Sequence, residues 1–166
     1  MKIPFLFIVL IFTAFLGAGC SNSFIQQVEN SQQSNVAKEV SSSKVKLDLS
    51  GSGLEKLPSN VLSMISLEEL NLSNNQLTGA LPAEIRQLRN LRILDASNNL
   101  MTGVPAEIGQ LTKLQELNLS NNQLTGLPSE LGNLTSLRVL DLRGNAVSQQ
   151  DLAGIKAKLK GTQILE

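Results

Sequence analysis

The pattern of apolar and polar positions repeats along the chain with a period of 23 or 24 residues. The repeats begin at Lys44, Leu67, Leu91, Leu114 and Leu137. Each opens with leucines that alternate with polar residues, which is the pattern of a β-strand with one buried face. Because one such unit cannot enclose a core, the pattern predicts stacked units whose strands pair side by side and whose leucines pack in columns.

Behind each strand the sequence predicts a turn and a short helical return. Asparagines at equivalent positions are expected to bond the backbone groups that the turn frees; they are Asn75, Asn99, Asn122 and Asn145. A Leu-Pro or Val-Pro step follows, and the next residues have helical spacing, as in 83–88. Since Gly109 and Gly132 disfavour long helices there, helical turns or 3-10 segments are predicted.

The unit L-x-x-L-x-L-x-x-N-x-L, seen between Leu67 and Leu77, resembles the leucine-rich-repeat family from Lys44 to about Leu165. This resemblance implies an α/β leucine-rich-repeat solenoid, with a short curved parallel sheet on the concave side and helical turns or 3-10 segments on the convex side. The phrase LTGALPAEI is similar to the plant-type subclass, whereas the other repeats are one residue shorter and nearer the bacterial type. The predicted repeat domain is 44–166, with about five repeats.

A capping helix is predicted over residues 148–160, after the last repeat. Ser148 and Asp151 form a capping-box-like start, and three apolar residues share one face of the helix while lysines crowd its last turns. Gly161 ends the helix, and residues 162–165 can add a last short strand. In the alternative, this basic helix contacts a membrane surface or a partner protein.

Residues 1–19 have the pattern of a secretory signal peptide, with a positive start, an uncharged stretch from Ile3 to Ala18 and small residues before Cys20. Residues 16–20 resemble the lipobox of bacterial lipoproteins, although Gly17 stands where leucine is commoner. The resemblance implies that Cys20 is diacylated and anchors the protein to a membrane. A transmembrane helix and ordinary secretion with a free thiol are the alternatives.

Residues 20–43 are rich in Ser, Gln and Asn, and they are predicted to form a flexible tether after the lipidated cysteine. In the alternative, residues 36–40 fold back over the first repeat. We therefore expect a protein that is secreted across the cytoplasmic membrane and anchored to a bacterial membrane as a lipoprotein. Full secretion is the alternative localisation.

The amino-acid composition excludes most classes of catalytic site. Lys plus Arg and Asp plus Glu both number 14, so the chain offers no strong positive field for nucleic acid. There is no His, and Cys20 is the single Cys, so His-dependent nucleophiles are excluded and no catalytic residue, metal or cofactor is predicted. Aspartates two strands apart would lie roughly 10 Å from each other, beyond the spacing of paired-carboxylate hydrolases. An enzyme that uses Ser and Lys or carboxylates is the third alternative.

The candidate binding site consists of residues expected to face solvent on the concave side. They are Glu69, Asn71, Ser73, Ile93, Asp95, Ser97, Leu100, Glu116, Asn118, Ser120, Asp141 and Arg143. The third repeat has Ala96 where the others have leucine, and Met101 is expected to fill the space. Leu100 replaces glutamine and should be an exposed apolar contact beside Ile93. We predict a monomeric, non-enzymatic envelope protein that binds a protein or glycan; a structural spacer is the alternative.

Overall fold

A computed structural model describes residues 45–166. In this part of the chain six short strands pair in parallel, in chain order. They are β1 (Lys46–Asp48), β2 (Glu69–Asn71), β4 (Ile93–Asp95), β6 (Glu116–Asn118), β7 (Val139–Asp141) and β8 (Gln163–Leu165). A second sheet pairs β3 (Thr78–Gly79) with β5 (Leu100–Met101). The segment 162–165 therefore contributes the last strand that its sequence suggests.

The register of the six-stranded sheet places equivalent residues of successive repeats side by side. Leu70 aligns with Leu94, Leu94 with Leu117, and Leu117 with Leu140. These leucines are at most 1% exposed, whereas the central residues of the two outermost strands, Leu47 and Ile164, are half-buried. The columns of leucine expected from the repeat are thus observed, and the α/β solenoid predicted from the sequence is confirmed.

Four 3-10 helices return the chain behind the sheet, and they confirm the short helical segments expected there. They are Ser59–Ser63, Ala83–Gln87, Ala106–Gln110 and Ser129–Asn133. Each follows a proline in extended backbone, whose ring fixes φ where the helix begins. A Cβ at Gly109 would overlap the backbone carbonyl of Glu130, so glycine lets two successive returns pack closely.

The helix α1 (Gln149–Lys158) covers the last returns, and it ends short of the predicted boundary at residue 160. Leu152, Ile155 and Leu159 are buried, as their common face predicts. The hydroxyl of Ser148 accepts from the backbone N–H of Asp151 at 3.4 Å. The Asp151 carboxylate accepts from the Leu127 N–H at 3.2 Å, so the second half of the capping box is replaced by a bond to the preceding repeat.

A row of buried asparagines connects successive turns through backbone hydrogen bonds. The Asn99 amide nitrogen donates to the carbonyl oxygens of Ala96 at 3.1 Å and Leu72 at 3.0 Å, while its oxygen accepts from the Leu77 N–H at 3.0 Å. Equivalent bonds are made by Asn75, Asn122 and Asn145. The predicted role of these four residues, called the inner row, is confirmed.

The residue before each inner-row asparagine has a left-handed backbone conformation. Asn74, Asn98 and Asn121 have φ of 57°, 53° and 53°, and the equivalent Gly51 and Gly144 have φ of 62° and 72°. Asparagine and glycine adopt this conformation more readily than other residues. The repeat pattern alone did not predict this conformation, although the exchange of Asn with Gly at the position was a visible signal.

The third repeat has the register that its sequence predicts. Ala96 is fully buried, Met101 is 1% exposed and Leu100 is 45% exposed. Ala96 and Met101 belong to the same apolar core as the leucines of the neighbouring repeats. The prediction that a buried methionine accompanies the missing leucine is therefore confirmed.

The signal sequence, Cys20 and the tether over 20–43 lie outside the described residues, so the predictions for them stay predictions. Within residues 45–166, every helix is too short or too polar to cross a bilayer.

Candidate functional site

The solvent side of the six-stranded sheet, here called the sheet face, carries two columns of side chains. The first column contains Lys46, Glu69, Ile93, Glu116, Val139 and Gln163. The second contains Asp48, Asn71, Asp95, Asn118, Asp141 and Leu165. In each inner strand the central leucine lies between the two columns and points into the core. The side chains of both columns therefore project toward solvent.

Each Asp or Asn of the second column caps the end of its own strand. Its Oδ1 atom accepts from the backbone N–H two residues later, with distances of 2.9 Å for Asp95 and 3.1 Å for Asn118. The same bond is made by Asp48, Asn71 and Asp141. Aspartate and asparagine can alternate along this column because both supply the required oxygen acceptor.

The alternation of Asp and Asn also separates like charges. The Asn118 amide donates to Asp95 Oδ2 on the neighbouring strand at 3.2 Å. Hydrogen bonds from Ser50, chiefly from its backbone N–H, hold the pKa of the Asp48 carboxyl below its ordinary value, and the Asn71 amide adds to this effect. An amide between two carboxylates thus replaces repulsion with a hydrogen bond.

The three serines of the predicted site do not face solvent, and that prediction is wrong. Ser73, Ser97 and Ser120 are 7%, 4% and 8% exposed. The hydroxyl of Ser97 donates to Asp95 Oδ1 at 2.7 Å, and the hydroxyl of Ser120 donates to Asn118 Oδ1 at 2.8 Å. Each strand ends two residues earlier, so the strict alternation of faces no longer applies at the serine.

Asp141 is also less available than the sequence predicts. It is only 6% exposed, and its Oδ2 atom lies 2.6 Å from Nη2 of Arg143, which keeps a largely exposed side chain. Hydrogen bonding from Arg143 lowers the pKa of the Asp141 carboxyl against the opposing effect of burial, and the same pair raises the pKa of Arg143. Arg143 is therefore the member of this pair that a ligand can reach.

Leu100 is exposed as predicted, but it does not belong to the sheet face. It lies in β5 and pairs with Thr78 of the second sheet, whereas Ile93 lies in β4 of the six-stranded sheet. The turn after β4 carries the chain to this second sheet before Leu100 is reached. The expected contact patch of Leu100 beside Ile93 is therefore corrected, and Ile93 is left as the apolar member of the candidate site.

A shallow hollow lies on the sheet face and extends across its first three strands. Its side chains come from β1, β2 and β4, and those exposed toward the hollow include Lys46, Asp48, Glu69, Asn71, Ile93 and Asp95. Lys46 Nζ lies 2.5 Å from Glu69 Oε2, which places an ion pair at one side of the hollow. The predicted set omitted Lys46 and Asp48, although both occupy its columns one repeat earlier.

The other members of the predicted set lie farther along the same face. Glu116 is exposed and follows Ile93 in register, while Asn118 is half-buried and bonded to Asp95. The hollow is lined by charged and amide groups together with three aliphatic residues, Ile93, the half-buried Leu47 and the buried Leu70. Within residues 45–166 no group of three or more His, Cys, Asp or Glu residues is placed to hold a metal ion. The side chains of the hollow offer ion pairing, hydrogen bonding and apolar contact.

Comparison with known proteins gives the same architecture. The family model described as a leucine-rich repeat region matches residues 25–164. A Ccr4-Not complex 3'-5'-exoribonuclease subunit, Ccr4 of Neurospora crassa, is 54% identical over 52 residues, which are 31% of this chain and 6% of that protein.

Two solved structures show the similarity at the level of the fold. A leucine-rich-repeat protein of Leptospira interrogans is 46% identical with a TM-score of 0.62, and the match covers 66% of this chain and 28% of that one. A plant peptide hormone receptor, RGFR1 in complex with RGF2, is 32% identical with a TM-score of 0.57, covering 66% and 18% of the two chains. This chain thus corresponds to only a small part of each relative.

The family match extends over most of the chain, and the repeat strands and inner row supply its structural basis. Leucine-rich-repeat domains are typical of protein binding, and the fold is generally non-enzymatic. The chain belongs to the leucine-rich repeat family.

Proposed function

We propose that this protein is a non-enzymatic, membrane-anchored envelope protein that binds a protein segment through its sheet face. The observation that carries the proposal is the hollow, where Ile93 lies beside charged and amide side chains of the two preceding repeats. Convergence of groups from separate repeats suits recognition, because one ligand segment can contact several strands at once. The aliphatic side chain of Ile93 favours an apolar side chain of a protein over a glycan.

The charges around Ile93 restrict what such a segment can present. Glu69 and Glu116 flank Ile93 in register, and Asp95 follows it on the same strand. Lys46 offsets part of this negative charge through its ion pair with Glu69. A segment with an aliphatic residue next to a cationic residue would bury the first against Ile93 and pair the second with Asp95 or Glu116.

The binding proposal can be tested with the double substitution I93S/D95N in the full chain. Asparagine should preserve the fold at residue 95, since Asn71 and Asn118 already cap their strands from the equivalent position. We expect crosslinking and pull-down from the native envelope to recover a partner with the original chain and to lose it with the double variant. Arg86→Gln, on an exposed residue of a 3-10 helix, is the matched control and should retain the partner.

The spacer alternative makes the opposite prediction for the same experiment. Much of the second column is already occupied by strand-capping bonds, which is the observation that favours a spacer. If the original chain and I93S/D95N recover the same set of proteins, specific binding through the hollow is wrong.

Membrane attachment is a separate part of the proposal and depends on Cys20. Cys20→Ser should abolish acyl labelling and release the processed protein into the soluble fraction, because acyl chains supply the anchoring free energy. Ser21→Ala is a control next to it that should leave labelling and attachment unchanged. Normal processing with unchanged membrane retention of Cys20→Ser would contradict the lipoprotein assignment.

A further inference from the structure

A second groove, away from the hollow on the sheet face, lies where the capping helix leads into the last strand. It is formed by the segments that enter β6 and β7 and by the turn between α1 and β8. Its polar lining includes Thr135, Ser136, Arg138, Lys158, Lys160 and Thr162. The groove thus gathers three cations and three hydroxyl groups from parts of the chain that are distant in sequence.

The charge of this groove is not balanced locally. All its charged lining residues are cations, and among residues 45–166 none of them makes an ion pair. Four other cations of the same range are paired with carboxylates, such as Arg92 Nε at 3.1 Å from Glu68 Oε2, whereas the unpaired Lys56, Arg86, Arg89 and Lys113 do not line this groove. The groove is therefore a concentrated positive site on a chain whose formal net charge is zero.

Stabilisation of the helix end explains only part of this cluster. Lysines near a helix C-terminus interact favourably with the helix dipole, and Lys158 is the last residue of α1. Arg138 belongs to a different element, because it immediately precedes β7. Its guanidinium is exposed toward solvent and needs another explanation.

Hydrogen bonds and side-chain packing hold the backbone near the three cations in place. The Arg138 N–H donates to the Gln115 carbonyl at 2.8 Å, and the Arg138 carbonyl accepts from the Gln163 N–H at 2.8 Å. Thr162 Oγ1 donates to the Leu137 carbonyl at 2.7 Å. The stem of Lys158 packs over Gly132, where a Cβ would overlap it, and its Nζ donates to the Ser129 carbonyl at 3.3 Å. The sites from which the charged groups project are therefore fixed before a ligand arrives.

We propose that this groove binds an anionic phosphate group, carried either by a soluble phosphate compound or by a phospholipid headgroup. A phosphate offers more oxygen acceptors and more charge than a carboxylate, which suits Arg138 and Lys160 with the hydroxyls of Thr135 and Ser136, while Lys158 adds positive charge nearby. The planar guanidinium of Arg138 matches two phosphate oxygens, while Lys160 supplies a mobile point charge. This site is independent of the proposed protein-binding hollow.

The test uses the full chain, labelled with ¹⁵N and held in non-ionic detergent micelles. Inorganic phosphate should shift the amide resonances of Arg138, Lys160 and Thr162 saturably, and added salt should weaken the effect. Acetate should bind at least about tenfold more weakly, because it has less charge and fewer acceptors. Micelles doped with phosphatidylglycerol or with diacylglycerol, which lacks phosphate, distinguish a lipid source from a soluble one.

Arg138→Gln is the decisive variant, since glutamine already occupies the equivalent position at Gln115 and should preserve the fold. It should weaken phosphate binding about tenfold or more, the loss expected for a charged hydrogen bond. Lys56→Gln removes the same charge from an exposed residue elsewhere and should leave binding unchanged. The proposal is overturned by absence of saturable shifts with either phosphate source, by equal binding of acetate, or by equal losses in the two variants.

Discussion

Two rows of polar residues follow the same repeats, one within the solenoid and one on its surface. The inner row is Asn75, Asn99, Asn122 and Asn145, and the outer row is the second column of the sheet face, from Asp48 to Asp141. Inner-row members bond backbone groups of their own repeat and of the preceding one, as Asn99 does with Ala96 and Leu72. Outer-row members bond mainly the backbone two residues away.

This difference shows that asparagine has two separate roles in the same repeats. Asn99 is 5% exposed and has both its donor and its acceptor satisfied by the backbone, so it is committed to structure. Asn118 is half-buried; its Oδ1 accepts from the nearby Ser120, and its amide nitrogen donates to a side chain, Asp95 of the neighbouring strand. Hence the inner row accounts for the cohesion of the array, while the outer row leaves groups that a partner can contact.

The largest expected effect is therefore on the inner row. Asn99→Ala would leave the buried Leu77 N–H without its partner and would remove one hydrogen bond from each of three carbonyl groups, which keep a second donor. One unsatisfied buried group costs about 1–3 kcal/mol and each further lost hydrogen bond about 1 kcal/mol, so we expect a loss of about 3 kcal/mol or more in the free energy of unfolding. Denaturant titration measures it. Asn118→Ala is the outer-row control, with an expected loss of about 1 kcal/mol; equal losses in the two variants would contradict the comparison.

A second prediction concerns the apolar layer inside the third repeat. Ala96 is fully buried together with Met101, so Ala96→Leu should overpack this layer. The expected loss in the free energy of unfolding is about 1–3 kcal/mol. Ala153→Leu, on an exposed helix residue, should change stability little. A stabilised Ala96→Leu protein would show that the methionine leaves usable space.

Lowering the pH should reduce the contribution of the outer row to the free energy of unfolding before it affects that of the inner row. The pKa values of Asp48 and Asp141 are lowered in the folded protein, so these carboxylates stabilise it above their unfolded pKa of about 3.9. That contribution is lost as pH falls from about 4 through the folded pKa values. The slope of unfolding free energy against pH below about 4 should be smaller in Asp141→Asn and in Arg143→Gln. A slope unchanged in both variants would exclude the pair as its source.

The smallest expected effect is at the exposed position of the third repeat. Leu100→Gln should change the free energy of unfolding by less than about 0.5 kcal/mol, because Leu100 is 45% exposed and two other repeats have glutamine there. Met101→Gln, one residue later and buried, should be strongly destabilising. Thermal unfolding of both variants distinguishes the exposed Leu100 from the buried Met101. A large loss for Leu100→Gln would mean that Leu100 packs in the core.

Much of the fold could be predicted because it depends on contacts between equivalent residues. The period of 23 or 24 residues aligns each leucine with its counterpart, so one repeat specifies the surroundings of the next. The role of the inner row followed for the same reason, since every turn frees the same backbone groups. The register of Ala96, Leu100 and Met101 also followed, because the neighbouring repeats supplied the template.

The repeat pattern did not predict where side chains point once a strand has ended. Ser97 was expected in solvent but is buried, since the turn after Asp95 directs its hydroxyl back to that carboxylate. Asp151 was expected to close a capping box, yet its carboxylate reaches the preceding repeat at Leu127. Such outcomes depend on the direction of a turn, which a periodic sequence does not encode in its spacing.

By itself the sequence determined the number of layers, the buried leucines and the asparagines that connect the turns. Only the tertiary structure decided that Leu100 lies in a second sheet apart from Ile93, and that Arg138 meets Lys158 and Lys160 in one groove. The physical reason is the range of the contacts involved. Neighbouring repeats obey one rule that recurs in the sequence, whereas the groove depends on a single packing of the capping helix against the last repeats.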